Sequence, residues 1–169
     1  KSIPVHNLDY DLYLSQIINK NNQTNIGLFI DEDAPFHSDY KILGIEPEVR
    51  ANQYYDEMND ILEKIKNKFD LEIFIQLHPR ADIKRSGLYY KHKLSKLETA
   101  EQISKSKVVI GHCSTSLQLA ILFKKPIILT RTKGWRKNDD LEIYTKAFSK
   151  ALNIPIYTNK KLKKLKEIP

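Results

Sequence analysis

Short apolar runs alternate with longer amphipathic segments along this 169-residue sequence, and few folds accommodate that alternation. Continuous apolar runs are typical of strands that are buried on both faces of a parallel sheet. The sequence predicts such strands at residues 26–30, 73–77, 108–111 and 126–130, with a proline-containing edge strand at 154–157. Because parallel strands need crossover connections, the segments between them are expected to be helical.

The intervening segments carry apolar residues at the three- and four-residue spacing of a helix. The longest predicted helix starts at Pro47 and aligns Tyr54, Met58, Ile61, Leu62, Ile65 and Phe69. Shorter helices are predicted at residues 8–20, at 97–103, from residue 117 and at 141–151, the last after a capping box at 139–142. Residues 31–44, 80–87 and 131–138 are predicted to be loops, and residues 88–90 a short strand.

This order of elements predicts an α/β fold, a Rossmann-like doubly wound parallel sheet with helices on both faces. Such sheets bind ligands at the carboxyl ends of their strands. The segments that follow predicted strands, and so converge on that edge, are residues 31–37, 78–80, 112–116 and 130–135. A binding site of this chain is therefore expected there.

Three consecutive hydroxyl side chains, Ser114, Thr115 and Ser116, follow the strand that ends at Gly111. The first amides of a helix lack intrahelical partners and carry the positive end of the helix dipole. Hydroxyls beside such amides can form a cradle for a phosphate group. The alternative interpretation is a plain helix N-cap, which serine and threonine commonly provide.

The sequence His78-Pro79-Arg80 ends the second predicted strand. Histidine can donate to a phosphate oxygen or protonate a leaving group near neutral pH, and Arg80 can bind a phosphate through its planar guanidinium. The alternative is a loop histidine beside a strand-ending proline. His112, just before the hydroxyls, is a candidate for contact with a nucleotide, with a structural role as its alternative.

Asp31, Glu32 and Asp33 follow the first predicted strand. Carboxylates there can act as a general base or bind a sugar hydroxyl or a metal, and the alternative is a solvated acidic turn. The histidines form no i, i+4 pair, so no metal site is predicted. The sequence also lacks the glycine-rich dinucleotide fingerprint, the Walker lysine motif and the G-x-S-x-G elbow, which disfavours dinucleotide oxidoreductases, P-loop ATPases and hydrolases.

The succession of strand, His78-Pro79, helix, strand and the turn at 111–116 resembles the carboxy-terminal, nucleotide-binding half of GT-B glycosyltransferases. It is similar, more narrowly, to bacterial sialyltransferases and to the glycerophosphate transferases of teichoic-acid synthesis, which carry a His-Pro motif and a later Ser/Thr pair. The resemblance covers residues 26–158. It implies that His78 assists the departure of the donor phosphate and that Ser114 with Thr115, or Thr115 with Ser116, holds the phosphate of a cytidine nucleotide.

The sequence departs from this family pattern in two places. Many GT-B enzymes place a ribose-binding glutamate after the hydroxyls, and here Gln118 stands in that position, where it can hydrogen-bond a hydroxyl without charge. The acidic turn at 31–33 lacks the glycine that follows the acidic motif of sialyltransferases, so no role as base is assigned to it. Since the other GT-B half usually supplies the base and the acceptor site, this chain is expected to bind a donor without turning it over.

The net charge of +7 is concentrated at one end, because residues 159–169 contain five lysines and one glutamate. Such a basic tail is either a solvated end or a contact with an anionic membrane surface or a neighbouring domain, and it lacks the aromatic residues that would stack on nucleic acid. We expect residues 1–25 to be a helix and linker from a missing amino-terminal domain, 26–158 the donor-binding domain, and 159–169 a basic tail.

The chain starts at Lys1 without a methionine, which suggests a fragment or an excised domain. Its single cysteine, Cys113, excludes a disulfide framework and fits a reducing, cytoplasmic compartment, with peripheral contact at the inner membrane face if the tail binds lipid.

These features predict the donor-nucleotide-binding domain of an inverting, metal-independent glycosyltransferase for a bacterial capsule or lipopolysaccharide glycan. His78 is the predicted catalytic residue, and the predicted binding residues are Arg80, His112, Ser114, Thr115, Ser116 and Gln118. The expected partners are a nucleotide-activated sugar, a glycan or lipid-linked acceptor and the missing domain; no cofactor and no nucleic acid are expected. The alternatives are a noncatalytic Rossmann-like binding module and a UDP-sugar epimerase of GT-B architecture.

Overall fold

Six parallel strands form a single sheet in the computed structural model, which describes residues 7–17, 24–47, 49–135 and 140–169. The strands are β1 (Ile26–Ile30), β2 (Glu72–Gln76), β3 (Lys93–Leu94), β4 (Val108–Gly111), β5 (Ile127–Thr130) and β6 (Ile156–Tyr157). They lie in the order β3-β2-β1-β4-β5-β6, with every pairing parallel. The predicted Rossmann-like class is thereby confirmed, and the point where the strand order reverses lies between β1 and β4.

Helices connect these strands throughout the described part of the chain. They are α1 (Leu8–Ile17), α2 (Ser38–Leu43), α3 (Ala51–Phe69), α4 (Ile83–Tyr89), α5 (Thr99–Lys105), α6 (Leu117–Leu122), α7 (Asp140–Leu152) and a short 3₁₀ helix (Lys161–Lys164). Residues 18–20 of the first predicted helix and Asp139 of the predicted capping box lie outside the described residues.

The core consists of two layers, one on each face of the sheet. Successive strand residues point to opposite faces, so Phe29 packs in one layer while Leu28 and Ile30 pack in the other. The first layer is closed by the apolar face of α3, including Met58, and the second by α5 and α6. This arrangement explains why the strands are continuous apolar runs rather than alternating patterns.

Two segments that were predicted to be loops contain short helices, and both predictions are wrong. Helix α2 lies within 31–44, and α4 begins within 80–87 and continues through Leu88 and Tyr89, where a strand was predicted. Each helix is set by a local cap: the Asp82 side chain accepts a hydrogen bond from the Arg85 N–H at 3.0 Å. Helices this short bury too few apolar residues to show a periodic pattern.

Two further boundaries differ from the prediction. Helix α3 begins at Ala51, with Arg50 at its N-cap, rather than at Pro47. Strand β3 was not predicted because two residues are too short to show a pattern. Strand β6 lies at the edge of the sheet, as predicted, but it begins at Ile156, after Pro155, and so is shorter than the predicted 154–157.

Both ends of the described chain pack on the domain. Helix α1 contacts α5 and α6, and the ring of Tyr13 lies 5.0 Å from that of Phe123. Leu162 and Leu165 are buried in the layer that contains α3, while the lysines around them are exposed. The basic tail is therefore anchored by two leucines rather than freely solvated. No helix in the described ranges combines the length and apolar character that crossing a bilayer requires.

Candidate functional site

Four strand ends converge at the carboxyl edge of the sheet, where the sequence predicts a site. Strand β1 pairs with β2 on one side and with β4 on the other, so residues after Ile30 lie between those after Gln76 and those after Gly111. Side-chain contacts connect the ends directly. The Glu32 carboxylate accepts a hydrogen bond from the Cys113 N–H at 3.4 Å.

The acidic turn after β1 is buried, so the interpretation of Asp31 and Asp33 as a solvated turn is wrong. Asp31 is 2% exposed and Asp33 is 3% exposed. Asp33 adopts a left-handed backbone conformation with φ of 53° and forms an ion pair of 2.6 Å with Arg85 of α4. The unpredicted helix α4 therefore supplies the cation that makes this burial possible.

The other two carboxyl groups of the turn, Asp31 and Glu32, have no cationic partner among the residues that the structure describes. Burial raises the pKa of Asp31 from 3.8 to about 7, although hydrogen bonds from neighbouring groups oppose the rise. Burial, followed by repulsion from Asp31, raises the pKa of Glu32 from 4.5 to about 8. Within the described residues, Glu32 Oε2 is buried without a hydrogen-bond partner. Both groups can therefore hold a proton near neutral pH.

His112 is completely buried beneath this turn, with both ring nitrogens hydrogen-bonded inside the protein. Its Nδ1 lies 2.8 Å from the Thr130 carbonyl oxygen, which can only accept, so Nδ1 carries the proton and Nε2 is an acceptor. Burial lowers the pKa of His112 to about 4, which keeps the ring neutral. A bound nucleotide cannot touch this ring without a rearrangement, so contact between His112 and a nucleotide stays a prediction.

The Tyr54 hydroxyl connects His112 to the acidic turn. It lies 3.0 Å from His112 Nε2 and 3.3 Å from Asp31 Oδ1, and it has a single proton to donate. Both contacts are satisfied when the hydroxyl donates to His112 and Asp31 carries its own proton. The raised pKa of Asp31 agrees with that assignment.

The predicted phosphate cradle at Ser114, Thr115 and Ser116 is largely satisfied internally. The Ser114 hydroxyl accepts a hydrogen bond from the Ser116 N–H at 3.4 Å. The carbonyl oxygens of Ser114 and Thr115 accept hydrogen bonds from the next two N–H groups, those of Leu117 and Gln118. Glu32 also uses the Cys113 amide. Helix α6 has only six residues, and Ser116 provides no side-chain cap. A phosphate at this turn would compete with Glu32, and its binding there remains a prediction.

His78 lies where the prediction places it, half-buried after β2 and two residues beyond its end. Its Nδ1 accepts a hydrogen bond from the Arg80 N–H at 3.2 Å. The ring of His37, from the loop after β1, lies 4.9 Å away between centroids. The exposed Arg80 guanidinium donates to Ser38 Oγ at 3.2 Å. The structure thus brings His78 together with His37, which sequence reasoning did not single out.

Gln118 lies on the exposed side of α6, toward the beginning of α1. Its Oε1 accepts a hydrogen bond from Asn7 Nδ2 at 3.3 Å. The two side chains line an open groove between α1 and α6. In the present structure this side chain is therefore engaged with α1, and a role in binding ribose stays a prediction.

Several participants were missed because they are distant in sequence. Tyr54 was taken as helix core, and Arg85 was assigned to a loop. His37 was also missed, and no sequence pattern marks it, because its proximity to His78 arises from the pairing of β1 with β2. Among the described residues, no three His, Cys, Asp or Glu side chains are grouped closely enough to hold a metal ion.

Comparison with known proteins identifies the fold. No protein-family model matches the chain, and no curated protein is detectably similar to it. Among solved structures, Methanocaldococcus jannaschii UDP-GlcNAc 2-epimerase, in complex with UDP-GlcNAc and UDP, is 16% identical with a TM-score of 0.52, over 96% of this chain and 46% of that one. Thermosulfurimonas dismutans KpsC, a beta Kdo 2,4 transferase, is 13% identical with a TM-score of 0.40, over 80% of this chain and 49% of that one.

The chain thus spans less than half the length of either structure. At such identity, the similarity to the epimerase establishes the fold: this chain folds as one half of a GT-B-type architecture.

Proposed function

We propose that this domain binds the nucleotide-activated donor of an inverting, metal-independent glycosyltransferase of GT-B architecture that builds a bacterial capsule or lipopolysaccharide glycan. The fold supports this proposal because open parallel sheets bind ligands at the carboxyl ends of their strands, beside the point where the strand order reverses. The donor proposed first is a CMP-linked sugar, in line with the His-Pro and Ser/Thr resemblance. The acceptor and the other half of the enzyme are outside this chain.

The observation that carries the proposal is the state of His78. Since its Nδ1 accepts a hydrogen bond from the Arg80 N–H, the proton of the neutral ring lies on Nε2, which can donate a hydrogen bond. Burial, followed by the nearby His37, lowers the pKa of His78 below 6.5. The ring is therefore a neutral donor at neutral pH, which suits a phosphate oxygen that gains charge during bond cleavage.

This geometry defines what His78 does in the proposed reaction. The acceptor hydroxyl attacks the anomeric carbon, the bond to the donor phosphate breaks, and the electron pair goes to the phosphate oxygen. His78 Nε2–H stabilises that oxygen by a hydrogen bond and keeps its own proton, because full transfer would leave an imidazolate. The hydroxyl proton goes to a base on the acceptor side, outside this chain.

Binding also requires a response from Glu32. The Cys113 N–H and the hydroxyls at 114–116 can donate hydrogen bonds to a phosphate only if Glu32 withdraws or is protonated, because two anions would otherwise compete for these donors. The proposed binding residues remain Arg80, Ser114, Thr115, Ser116 and Gln118, with His112 supporting the loop from below.

Calorimetric titration of this chain with CMP, CDP, UDP and GDP, with and without Mg²⁺, tests the proposal. We expect CMP to bind without Mg²⁺ and His78→Ala to weaken its binding at least tenfold, the loss of one hydrogen bond to a charged group. His92→Ala is the control, because the His92 side chain is largely buried but lies at the opposite, amino end of β3. Absence of nucleotide binding, or unchanged binding by the His78 variant, would contradict the proposal.

A UDP-sugar epimerase is the second candidate, favoured by one specific observation. Asp31 and Glu32 are buried carboxyl groups that titrate near neutral pH at the ligand edge, as residues that exchange protons with a substrate require. This candidate predicts that UDP binds more tightly than CMP. It also predicts that Glu32→Gln in the full-length enzyme abolishes proton exchange with solvent at the sugar while UDP still binds.

Peripheral contact with an anionic membrane surface is a further part of the proposal. The exposed lysines of the tail are Lys160, Lys161, Lys163, Lys164 and Lys166. Because Leu162 and Leu165 are turned into the core, such contact would be made by charge alone. Binding to vesicles containing anionic lipid should then disappear at high salt, and replacing three of these lysines by glutamate should abolish it. A noncatalytic binding module would show this vesicle binding with no affinity for nucleotides.

A further inference from the structure

His37 and His78 come from different loops but form one pair. His37 ends the loop after β1, and His78 lies near the start of the loop after β2, the neighbouring strand. Their ring centroids are 4.9 Å apart at an interplanar angle of 61°. Both side chains are partly exposed at the carboxyl edge of the sheet. A ligand at that edge can therefore reach both rings.

The two histidines make the same backbone turn. His37 Nδ1 accepts the N–H of Asp39 at 3.3 Å, just as His78 Nδ1 accepts the N–H of Arg80 at 3.2 Å. In each case the N–H two residues further along the chain donates a hydrogen bond to Nδ1, so the proton of the neutral ring lies on Nε2. No Nε2 partner is found for either ring among the described residues. The pair thus offers two N–H donors that the fold leaves unused.

The charged side chains around the pair balance one another. Arg80 lies between the two turns, with its guanidinium 3.2 Å from Ser38 Oγ and 3.8 Å from an Asp39 carboxylate oxygen. The nearest buried carboxylate, Asp33, is already paired with Arg85 at 2.6 Å. The Asp39 carboxylate also lies 3.6 Å from His37 Nδ1. These two carboxylates therefore match the two guanidinium groups, and the attraction for a phosphoryl group comes from the two N–H donors. The exposed Arg80 bridges the two histidine turns through these contacts with Ser38 and Asp39.

Space for the remainder of a ligand lies next to His37. An open groove of about 440 Å³ runs from His37 along α2 and is lined by the Phe36 and Tyr40 side chains and by Arg85. The Tyr40 ring packs edge-on against His37, with centroids 6.3 Å apart. Aromatic side chains with an arginine suit a ring-shaped group, such as a sugar or a base, attached to a phosphate.

We propose that His37 and His78 together bind a single phosphoryl group through their two Nε2–H donors, beside the guanidinium of Arg80, which bridges the two turns. The inference deepens the proposed function and rests on it for the identity of the ligand, a phosphate ester with its sugar or base in the groove beside His37. It adds to His78 a second phosphate-binding residue, contributed by the loop after β1.

Paired substitutions separate binding from capping. Asparagine places Oδ1 where histidine has Nδ1, so His37→Asn and His78→Asn keep the turn and remove the Nε2–H donor. Glutamine can place an N–H donor near the Nε2 position but loses the cap. We expect each asparagine variant to weaken CMP binding at least tenfold at unchanged thermal stability, and His37→Gln to restore part of the affinity. His92→Asn is the control and should bind normally.

Nitrogen-15 NMR of the histidine rings tests the geometry directly. His37 and His78 should show the Nε2–H tautomer, whereas His112, which donates from Nδ1 to Thr130, should show the opposite one and serves as an internal reference. CMP and inorganic phosphate should shift the Nε2 signals of both paired rings.

The outcomes distinguish this inference from the proposed function. If CMP shifts His78 but not His37, or if His37→Asn binds CMP normally, the inference is overturned while the proposed function stands. If inorganic phosphate shifts both rings but no nucleotide binds, the paired site is supported and the proposed nucleotide ligand is wrong. If neither phosphate nor CMP shifts His37, the pair is not an anion site.

Discussion

The hydroxyl of Tyr54 shows how one atom decides the protonation of its neighbours. It lies between His112 Nε2 and Asp31 Oδ1, at 3.0 and 3.3 Å, and all three groups are buried. A hydroxyl has one proton, so Tyr54 donates its hydrogen bond to His112. The Asp31 carboxyl group must then be protonated to donate a hydrogen bond to the Tyr54 oxygen. The carboxyl end of β1 is thus linked to β4 and β5 through a chain of neutral hydrogen bonds.

Removing that hydroxyl should destabilise the domain. Tyr54→Phe leaves His112 Nε2 buried without a donor, which costs about 1–3 kcal/mol of unfolding free energy. Urea denaturation at pH 6 measures the change. Tyr144→Phe is the control, because Tyr144 is 56% exposed on α7 and its variant should differ little from the wild type. Equal stability of the two variants would show that the Tyr54 hydroxyl carries no such role.

Elements that bury a continuous apolar surface were predictable from the sequence, and those held by local caps were not. An apolar run or stripe is buried by each of five elements: strands β1, β2, β4 and β5 and helix α3. Such a pattern can be recognised in the sequence without knowing which elements it contacts. Helices α2 and α4 depend on His37 and Asp82 as caps and on long-range contacts, of which the Asp33–Arg85 ion pair is one. Those contacts arise only after the sheet has brought residues 33 and 85 together.

The 3₁₀ helix at the carboxyl end is an element whose apolar residues matter more than its charges. Leu165 is 2% exposed and packs in the layer of α3, whereas Lys163 is exposed. Leu165→Ala should lower the unfolding free energy by about 2–4 kcal/mol, because it removes buried methyl groups and leaves a cavity. Lys163→Ala should change it by less than about 0.5 kcal/mol. Thermal denaturation of both variants measures these changes. A Leu165 variant as stable as the wild type would mean that the tail does not pack against α3.

At the scale of the whole molecule, the sequence predicts the edge of the sheet where the candidate site lies but not the character of that edge. Parallel topology alone places residues 31–33, 78–80 and 112–116 together. Whether Asp31 is solvated or buried depends on Tyr54 and Tyr90, which come from α3 and the segment after α4 and surround it in the fold. Burial and protonation are properties of the assembled core, so spacing in the sequence does not reveal them.

Two buried carboxyl groups should make the stability of the whole domain depend on pH. The pKa values of Asp31 and Glu32 rise from 3.8 and 4.5 to about 7 and about 8 on folding. The native state therefore holds protons that the unfolded chain has lost, so their stabilising contribution is complete below about pH 4 and is lost as pH rises to about 8. His112 has the opposite effect, because its pKa falls from 6.5 to about 4, and that effect is half complete at pH 6.5 and nearly complete by about pH 7.5.

The window between about pH 7.5 and 8.5 therefore isolates the two carboxyl groups, since His78 and His92, whose pKa values are also lowered in the fold, are then neutral in the folded and the unfolded chain alike. Each group lowers the unfolding free energy by at most about 1.4 kcal/mol per pH unit until it ionises. Asp31→Asn and Glu32→Gln should each reduce the fall of unfolding free energy with pH, and the double variant should show almost no fall. Glu72→Gln, at an exposed carboxylate of β2, should keep the wild-type fall. Urea titrations at several pH values measure how the unfolding free energy changes with pH. A flat wild-type profile would mean that both carboxyl groups are ionised in the native fold. The assignment of a proton to Asp31 in the hydrogen-bond chain through Tyr54 would then be wrong.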